Sequence, residues 1–244
     1  MKGIFDIFKL LIVLGMAGLL YGFSAQRNGG RKITNLQVEF TDENSPFITL
    51  STVNKLLIQN TDTLTSITKE TLVLKEMETR LMQNPMVRDA QVFVTVDGTL
   101  GAMIKQRNPI ARVAGSPNYY VDEDGKTMPL SSVYAARVPL ITGTSKNNFT
   151  ELTPLLLKLR DDEFMRQSVV GLHKYRDGTV ELRMRKHDFK VFFGKVKDID
   201  KKIQNYKAFY QKTKRDKTLT GYELVNLQFG NQVVATKKIR HGKQ

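Results

Sequence analysis

The sequence predicts an α+β protein: an N-terminal transmembrane helix, a β-α-α-β-β module, then a mostly antiparallel β domain carrying two helices. Three observations carry that prediction. Leu10 to Ala25 holds sixteen consecutive residues without a charge. Between Asn84 and Val113, apolar and polar residues alternate on both sides of Asp97-Gly98, the pattern of a hairpin buried on one face. Beyond Arg107, short alternating runs recur around Asp-Gly and Gly-Asn pairs, with two stretches of helical spacing among them.

The amino-terminal run, LLIVLGMAGLLYGFSA, reaches twenty apolar residues when extended back to Ile4, interrupted only by Asp6 and Lys9. Spanning a bilayer takes about twenty residues. Lys9, near one end, can snorkel its ammonium to the headgroups. A cleaved signal peptide is the competing reading, with Gly22-Phe23-Ser24 as a small-x-small cleavage site. Length and composition favour the anchor, so the expected division is a tail at 1–9, a span at 10–25 and a stalk at 26–32 that contains Asn28-Gly29-Gly30. Lys2 and Lys9 precede the span whereas Arg27, Arg31 and Lys32 follow it, so the positive-inside count does not choose an orientation. Gly18 and Gly22 have the small-xxx-small spacing of helix pairing, a spacing that glycine-rich membrane helices often show.

The first soluble unit is expected at 33–106. Leu36, Val38 and Phe40 alternate as a strand. Thr49 or Ser51 caps a short helix whose apolar face is Val53, Leu56 and Leu57. After a polar link at 60–66, a second helix starts near Thr68 and spaces Val73, Met77 and Leu81 at i, i+4 and i+8. Asn84-Pro85 ends it, because a residue before proline is pushed out of the α region. Ala90, Val92, Val94 and Val96 then form the inward face of one strand, and Leu100, Ala102 and Ile104 that of its return. Asp97-Gly98 reads as a two-residue type I′ turn between them. The expected core joins Val73, Met77 and Leu81 to Ala90, Val92, Val94 and Val96.

The second unit is expected at 107–240, with 241–244 a tail. Tyr119–Leu130 reads as two short strands around Asp124-Gly125; its acids lack the spacing of a calcium loop. Val138–Thr142 is a short strand. Glu151–Phe164 is a helix with Pro154 in its first turn. Gln167–Tyr175 and Thr179–Lys186 form a hairpin about Asp177-Gly178, with Val180, Leu182 and Met184 inward. Phe189–Phe193 adds a strand. Asp198 opens a helix with the stripe Ile199, Ile203, Tyr206 and Tyr210. Tyr222–Phe229 and Gln232–Thr236 are the last extended runs, and a terminal strand of this kind is a candidate sheet edge.

Composition excludes cysteine chemistry, since there is no cysteine, and the net charge of +14 favours an anionic partner or surface. Fifteen Lys/Arg against five Asp/Glu fall in 186–244. Lys201, Lys202, Lys207, Lys212, Lys214 and Arg215 interleave with Tyr206, Phe209 and Tyr210, a mix that suits nucleic acid; with Tyr206 and Tyr210 in a buried stripe, it is instead an ordinary solvated face. His173, His187 and His241 fit no metal-ligand spacing. No G-x-S-x-G elbow, Walker loop or G-x-G-x-x-G loop is present. Asp161-Asp162-Glu163 stands at the end of a charged helix, where acids are solvated rather than held across a cleft. The expectation is no enzymatic activity, no cofactor, no metal and no small-molecule substrate.

Several motifs in order resemble one family. Asn84-Pro-Met-Val-Arg88 before the hairpin, with Gln106-Arg-Asn-Pro-Ile-Ala-Arg112 after it, closely resembles the junction between the POTRA (polypeptide-transport-associated) module and β domain of the FtsQ/DivIB cell-division proteins. Tyr120-Val-Asp-Glu-Asp-Gly125 with Pro129-Leu130, then Val138-Pro-Leu-Ile-Thr-Gly143, are similar to that family's next two signatures. Val225–Lys238 resembles the ending of Bacteroidetes-type members. The resemblance implies a non-enzymatic, single-pass protein of the inner membrane, amino terminus cytoplasmic and soluble domains periplasmic, concentrated at the division septum. It implies that the last strands bind a coiled-coil partner pair of the FtsB/FtsL type, through the positions corresponding here to Gln228, Phe229, Asn231, Val233, Val234 and Lys237. It also implies that the POTRA module contacts other septal membrane proteins. A POTRA protein of outer-membrane assembly or secretion is the alternative; tandem POTRA repeats are its mark, and the sequence holds one.

Overall fold

The computed structural model describes residues 2–29, 33, 35–41, 47–58, 74–144, 149–230 and 232–239. The chain divides into two compact units, Met1–Gln106 and Arg107–Gln244. In the first, α1 (Lys2–Gly29) is one unbroken helix that runs past both ends of the expected span and through Asn28 and Gly29 of the expected stalk. Its stretch Asp6–Gln26 is long and apolar enough to cross a membrane and is exposed along its length.

After α1 come β1 (Asn35–Phe40), α2 (Leu50–Leu57), α3 (Leu74–Gln83), β2 (Val87–Val94) and β3 (Thr99–Gln106). Thr49, not Ser51, caps α2 by accepting the Thr52 N–H at 3.1 Å. Beyond α3 the Asn84 side chain accepts the Met86 N–H at 2.9 Å and turns the chain into β2. The expected helix start near Thr68, and Val73 with it, lie outside the described residues. The strands pair in the order β1-β3-β2, β1 parallel to β3 and β2 antiparallel to it. Leu100, Ala102, Ile104, Ala90 and Val92 are buried, as are Val53, Leu57, Met77 and Leu81 of the helices. Val94 is half-buried. On the outer edge of β2, carboxylates answer the backbone: Glu78 Oε1 accepts the Val92 N–H and Asp89 Oδ1 the Ala90 N–H, each at 3.0 Å.

Val96 is not a core residue; it is 79 % exposed. The loop closed by the Thr95–Thr99 pair holds three residues, Val96-Asp97-Gly98, instead of two. The Thr95 N–H donates to Thr99 O at 2.9 Å, the Gly98 N–H to Thr95 O at 3.2 Å, and Gly98 takes φ 93°. That extra residue carries Val96 out of the strand's alternation. The same loop, with glycine last and left-handed, recurs at Glu123-Asp124-Gly125 and Arg176-Asp177-Gly178.

The second unit contains β4 (Pro109–Val113), β5 (Tyr119–Asp122), β6 (Thr127–Pro129), β7 (Leu140–Thr142), α4 (Thr153–Asp161), α5 (Glu163–Ser168), β8 (Val169–Lys174), β9 (Val180–Met184), β10 (Lys190–Gly194), α6 (Ile199–Arg215), β11 (Tyr222–Asn226) and β12 (Val234–Lys237). Its strands form one nine-stranded sheet, β12-β11-β10-β9-β8-β7-β4-β5-β6. The pairings β4–β7, β7–β8 and β10–β11 are parallel and the others antiparallel. The core packs Val180, Leu182, Met184, Val191, Phe193 and Val225 with Leu155, Leu156, Leu159, Ile203 and Tyr206. The helix expected at Glu151–Phe164 is broken in two, so the domain carries three α-helices among its described residues where two were expected. Asp162 is extended at the break, caps α5 by accepting the Met165 N–H at 3.0 Å, and is ion-paired with Lys207. Burial alone pushes the Asp162 carboxyl up, but the Lys207 ammonium and the Met165 N–H hold it below the usual carboxylate range. Asp198 sits at φ 51° and makes no side-chain cap to α6. Lys202 fixes that end instead, donating to Phe193 O at 3.0 Å and Lys195 O at 2.7 Å with its Nζ over the Phe193 ring.

Val92 and Gln91 test the hairpin register. Burying a valine contributes about 1.5–3 kcal/mol, and a carboxylate in its place lies unpaired beside Glu78. Val92→Asp is expected to abolish the cooperative thermal transition of the first unit, whereas exposed Gln91→Asp shifts stability by no more than about 0.5 kcal/mol. Equal losses at the two positions, followed by circular dichroism, would place the register one residue away.

Candidate partner-binding edge

β12 is the last strand of the sheet and has a neighbour on one side only. It pairs antiparallel with β11 through Leu224↔Thr236, Val225↔Ala235 and Asn226↔Val234. Two hydrogen bonds tell which backbone groups point outward. The Lys238 N–H donates to Gly221 O at 2.8 Å, and the Leu227 N–H donates to Phe192 O of β10 at 2.9 Å. Backbone groups of successive residues alternate sides along an extended strand. Leu224 and Asn226 therefore face β12, and Val234, Thr236 and Lys238 face β11. Ala235 and Lys237 direct their N–H and C=O away from the sheet.

Side chains around this edge divide by face. Val225 is buried, and Ala235 opposite it packs on the core with Val233. Val234 lies on the other face, 43 % exposed. Phe229 is 47 % exposed in the connection between the strands. The run expected as strand to Phe229 stops at Asn226, whose side chain turns back to accept the Gln228 N–H at 2.9 Å. Gln228 lies against Gly194, where a Cβ would sit 2.6 Å from its Cγ. Of the six expected contact residues, Val234 and Lys237 thus lie in β12, and Gln228, Phe229 and Val233 lie in the connection before it. Asn231 lies outside the described residues. Lys238 Nζ is 4.0 Å from Asp188 Oδ2, and Lys237 has no ion pair among the described residues. Ala235 is absent from the expected set because its contribution is a backbone donor and acceptor; only its place in the alternation marks it.

Elsewhere the chemistry-bearing side chains are engaged structurally. Asp161 pairs with Arg160 and Asp162 with Lys207. His173 Nδ1 lies 2.9 Å from Thr142 Oγ1, and His187 stacks on Phe189, where burial pushes its pKa down. No group of three His, Asp or Glu that could hold a metal occurs among the described residues. Asp122 Oδ1 accepts the N–H groups of Asp124 and Lys126, closing the acidic turn on itself. Tyr206 is buried, Tyr210 packs edge-on to Phe164 and Phe209 to Tyr222. Those rings belong to the core and leave no platform for stacked bases.

The alternation of β12 has a direct readout. In hydrogen exchange, the amides of Val234 and Thr236 are expected to be protected, while Ala235 and Lys237 exchange at rates near those of free peptide. Protection of Ala235 and Lys237 in the isolated protein would mean that the edge is already covered.

A model of the family described as FtsQ/DivIB, C-terminal related matches residues 108–236. A POTRA-like domain model matches residues 31–105. No curated protein matches the chain. The first match spans more than half of the chain and contains the whole nine-stranded sheet but its last residue, and the second contains the three-stranded sheet ahead of it, again but for its last residue: the chain belongs to the FtsQ/DivIB family.

Proposed function

We propose that this protein is a non-catalytic scaffold of the bacterial division machinery that links septal membrane proteins in the periplasm. A helix long and apolar enough to span a bilayer, followed by a POTRA-like unit and a β domain of the FtsQ/DivIB type, supports that reading. α1 anchors the chain in the inner membrane with a short cytoplasmic amino terminus. The POTRA-like unit contacts other septal membrane proteins, and the β domain takes a coiled-coil partner of the FtsB/FtsL type.

The observation that carries the partner assignment is the unpaired edge of β12 within the family-matched region. An added strand satisfies the outward groups of Ala235 and Lys237, and the exposed Phe229 and Val234 offer apolar contacts beside it. Lys237 and Lys238 favour an acidic approach and act chiefly on the association rate. Gln228, Asn231 and Val233 belong to the same contact by the family correspondence.

Proline at position 237 removes an outward N–H and leaves the β11–β12 ladder intact, whereas proline at 234 would break that ladder. One hydrogen bond contributes about 0.5–1.5 kcal/mol, so Lys237→Pro is expected to weaken the partner complex about two- to tenfold. Lys237→Ala, which removes only the charge, has a smaller effect on the dissociation rate, and Phe229→Asp lowers affinity through the lost apolar contact. Full partner pull-down by folded Lys237→Pro and Phe229→Asp proteins rules the edge out. Topology has its own measurement. Protease added to spheroplasts is expected to digest everything beyond about residue 26, with the soluble units sedimenting with membranes beforehand. A soluble form with a new amino terminus near Ala25 would make the apolar run a signal peptide.

A further inference from the structure

A hollow of about 210 Å³ opens in the second unit where the first residues of β4 and β8, the segment leading into β7 and the α4–α5 break come together. Ile110, Leu159 and Met165 give it a buried apolar floor. Arg137, Arg160, Arg166 and Arg185 surround it. Arg160 is neutralised, with Nη1 donating to Glu123 at 2.6 Å and Nε to Asp161 at 2.7 Å. The other three form no salt bridge among the described residues; Arg166 acts on the Asp161 carboxylate only as a minor influence, behind the Arg160 hydrogen bond that chiefly holds that group below its ordinary range. Arg166 Nη1 rests on Arg160 O at 3.4 Å and Arg185 Nε on Gln167 O at 3.0 Å. Backbone carbonyls thus orient two guanidinium forks without cancelling their charge.

Three guanidinium charges grouped around an apolar floor repel one another, so their arrangement favours an anionic occupant. We propose that this hollow docks a short acidic segment of a partner protein: one aliphatic or aromatic side chain enters it, and flanking Asp or Glu carboxylates pair with Arg137, Arg166 and Arg185. Size and chemistry both select that occupant. Sites for small ligands run to about 300–1,000 Å³, and this hollow is smaller, room for a side chain rather than a cofactor or an acyl chain. Guanidinium forks match carboxylates bidentately. An apolar centre rimmed by arginine is also the make-up of the energetically dominant part of a protein interface. The site shares no residue with the β12 edge and stands independently of it.

The test uses the full-length protein in phosphatidylcholine nanodiscs and three fluorescent hexapeptides. One reads Asp-Glu-Leu-Phe-Glu-Asp, the second replaces its acids by Asn and Gln, and the third replaces Leu-Phe by Ser-Ser. The first is expected to bind about tenfold tighter than either of the others. The Arg166→Glu/Arg185→Glu double variant is expected to lose about tenfold and to prefer a lysine-flanked version of the peptide, a reversal that unfolding cannot produce. Lys237→Pro leaves hexapeptide binding unchanged, which separates this site from the edge. Equal binding of the three peptides, or undiminished binding by the folded double variant, overturns the proposal. So does displacement of the peptide by phosphatidylglycerol vesicles in an arginine-dependent way, which would assign the hollow to lipid headgroups.

Discussion

Because β10 and β11 run parallel, the chain between them must cross from one end of the sheet to the other, and α6 is that crossing. A parallel pair cannot be closed by a tight turn. The crossing helix has to lie on a sheet face, and here its stripe of Ile203 and Tyr206 seals the core over Val191, Phe193 and Val225. Lys202 sets where the crossing begins. Its buried ammonium takes the carbonyls of Phe193 and Lys195 at the end of β10, and burial pushes its pKa down. Once β11 is placed, β12 can only return beside it on the outside. The edge is thus a product of the crossing as much as of its own four residues.

How edges are treated differs across the molecule. In the three-stranded sheet, Glu78 and Asp89 occupy two outward N–H groups of β2, those of Val92 and Ala90, which hinders another strand from pairing there. At the far end of the nine-stranded sheet, β6 has only three residues and ends in Pro129, which has no N–H to offer. β12 carries neither device. Lys237 at its end and Lys238 just beyond deter indiscriminate pairing, and they leave the apolar face of Val234 open. β2 and β6 are thus guarded in ways that β12 is not, which fits the proposal that β12 is an edge for a partner.

Much of this architecture could be read from local pattern. The alternations Leu100-Ala102-Ile104 and Val180-Leu182-Met184 mark their inward faces, because a half-buried strand needs only its two nearest neighbours to state its period. Asp-Gly pairs located the hairpins, yet the loops hold three residues, a difference decided by how Thr95 and Tyr175 hydrogen-bond across the turn. Long-range effects were not legible. Asp162 breaks its helix with the help of Lys207, forty-five residues later in the chain. The extent of the last strands depends on the Asn226 side chain turning back on Gln228. Ala235 and the ring of Arg137, Arg166 and Arg185 acquire meaning only from strand order and from the meeting of distant segments, which no spacing along the chain encodes.

The shortness of β12 has a consequence for how any complex there must be held. Two outward residues offer two donors and two acceptors, and at about 0.5–1.5 kcal/mol each a fully paired added strand gains only a few kcal/mol. That corresponds to dissociation constants near the millimolar range in free solution. A partner fixed in the same bilayer does not search free solution. Tethering raises the local concentration of each for the other to about the millimolar level, enough to fill a contact that dilution would empty. On the proposed reading, an edge this small is occupied when both proteins share a patch of membrane and vacated when they drift apart, so that α1 would enter the thermodynamics of binding.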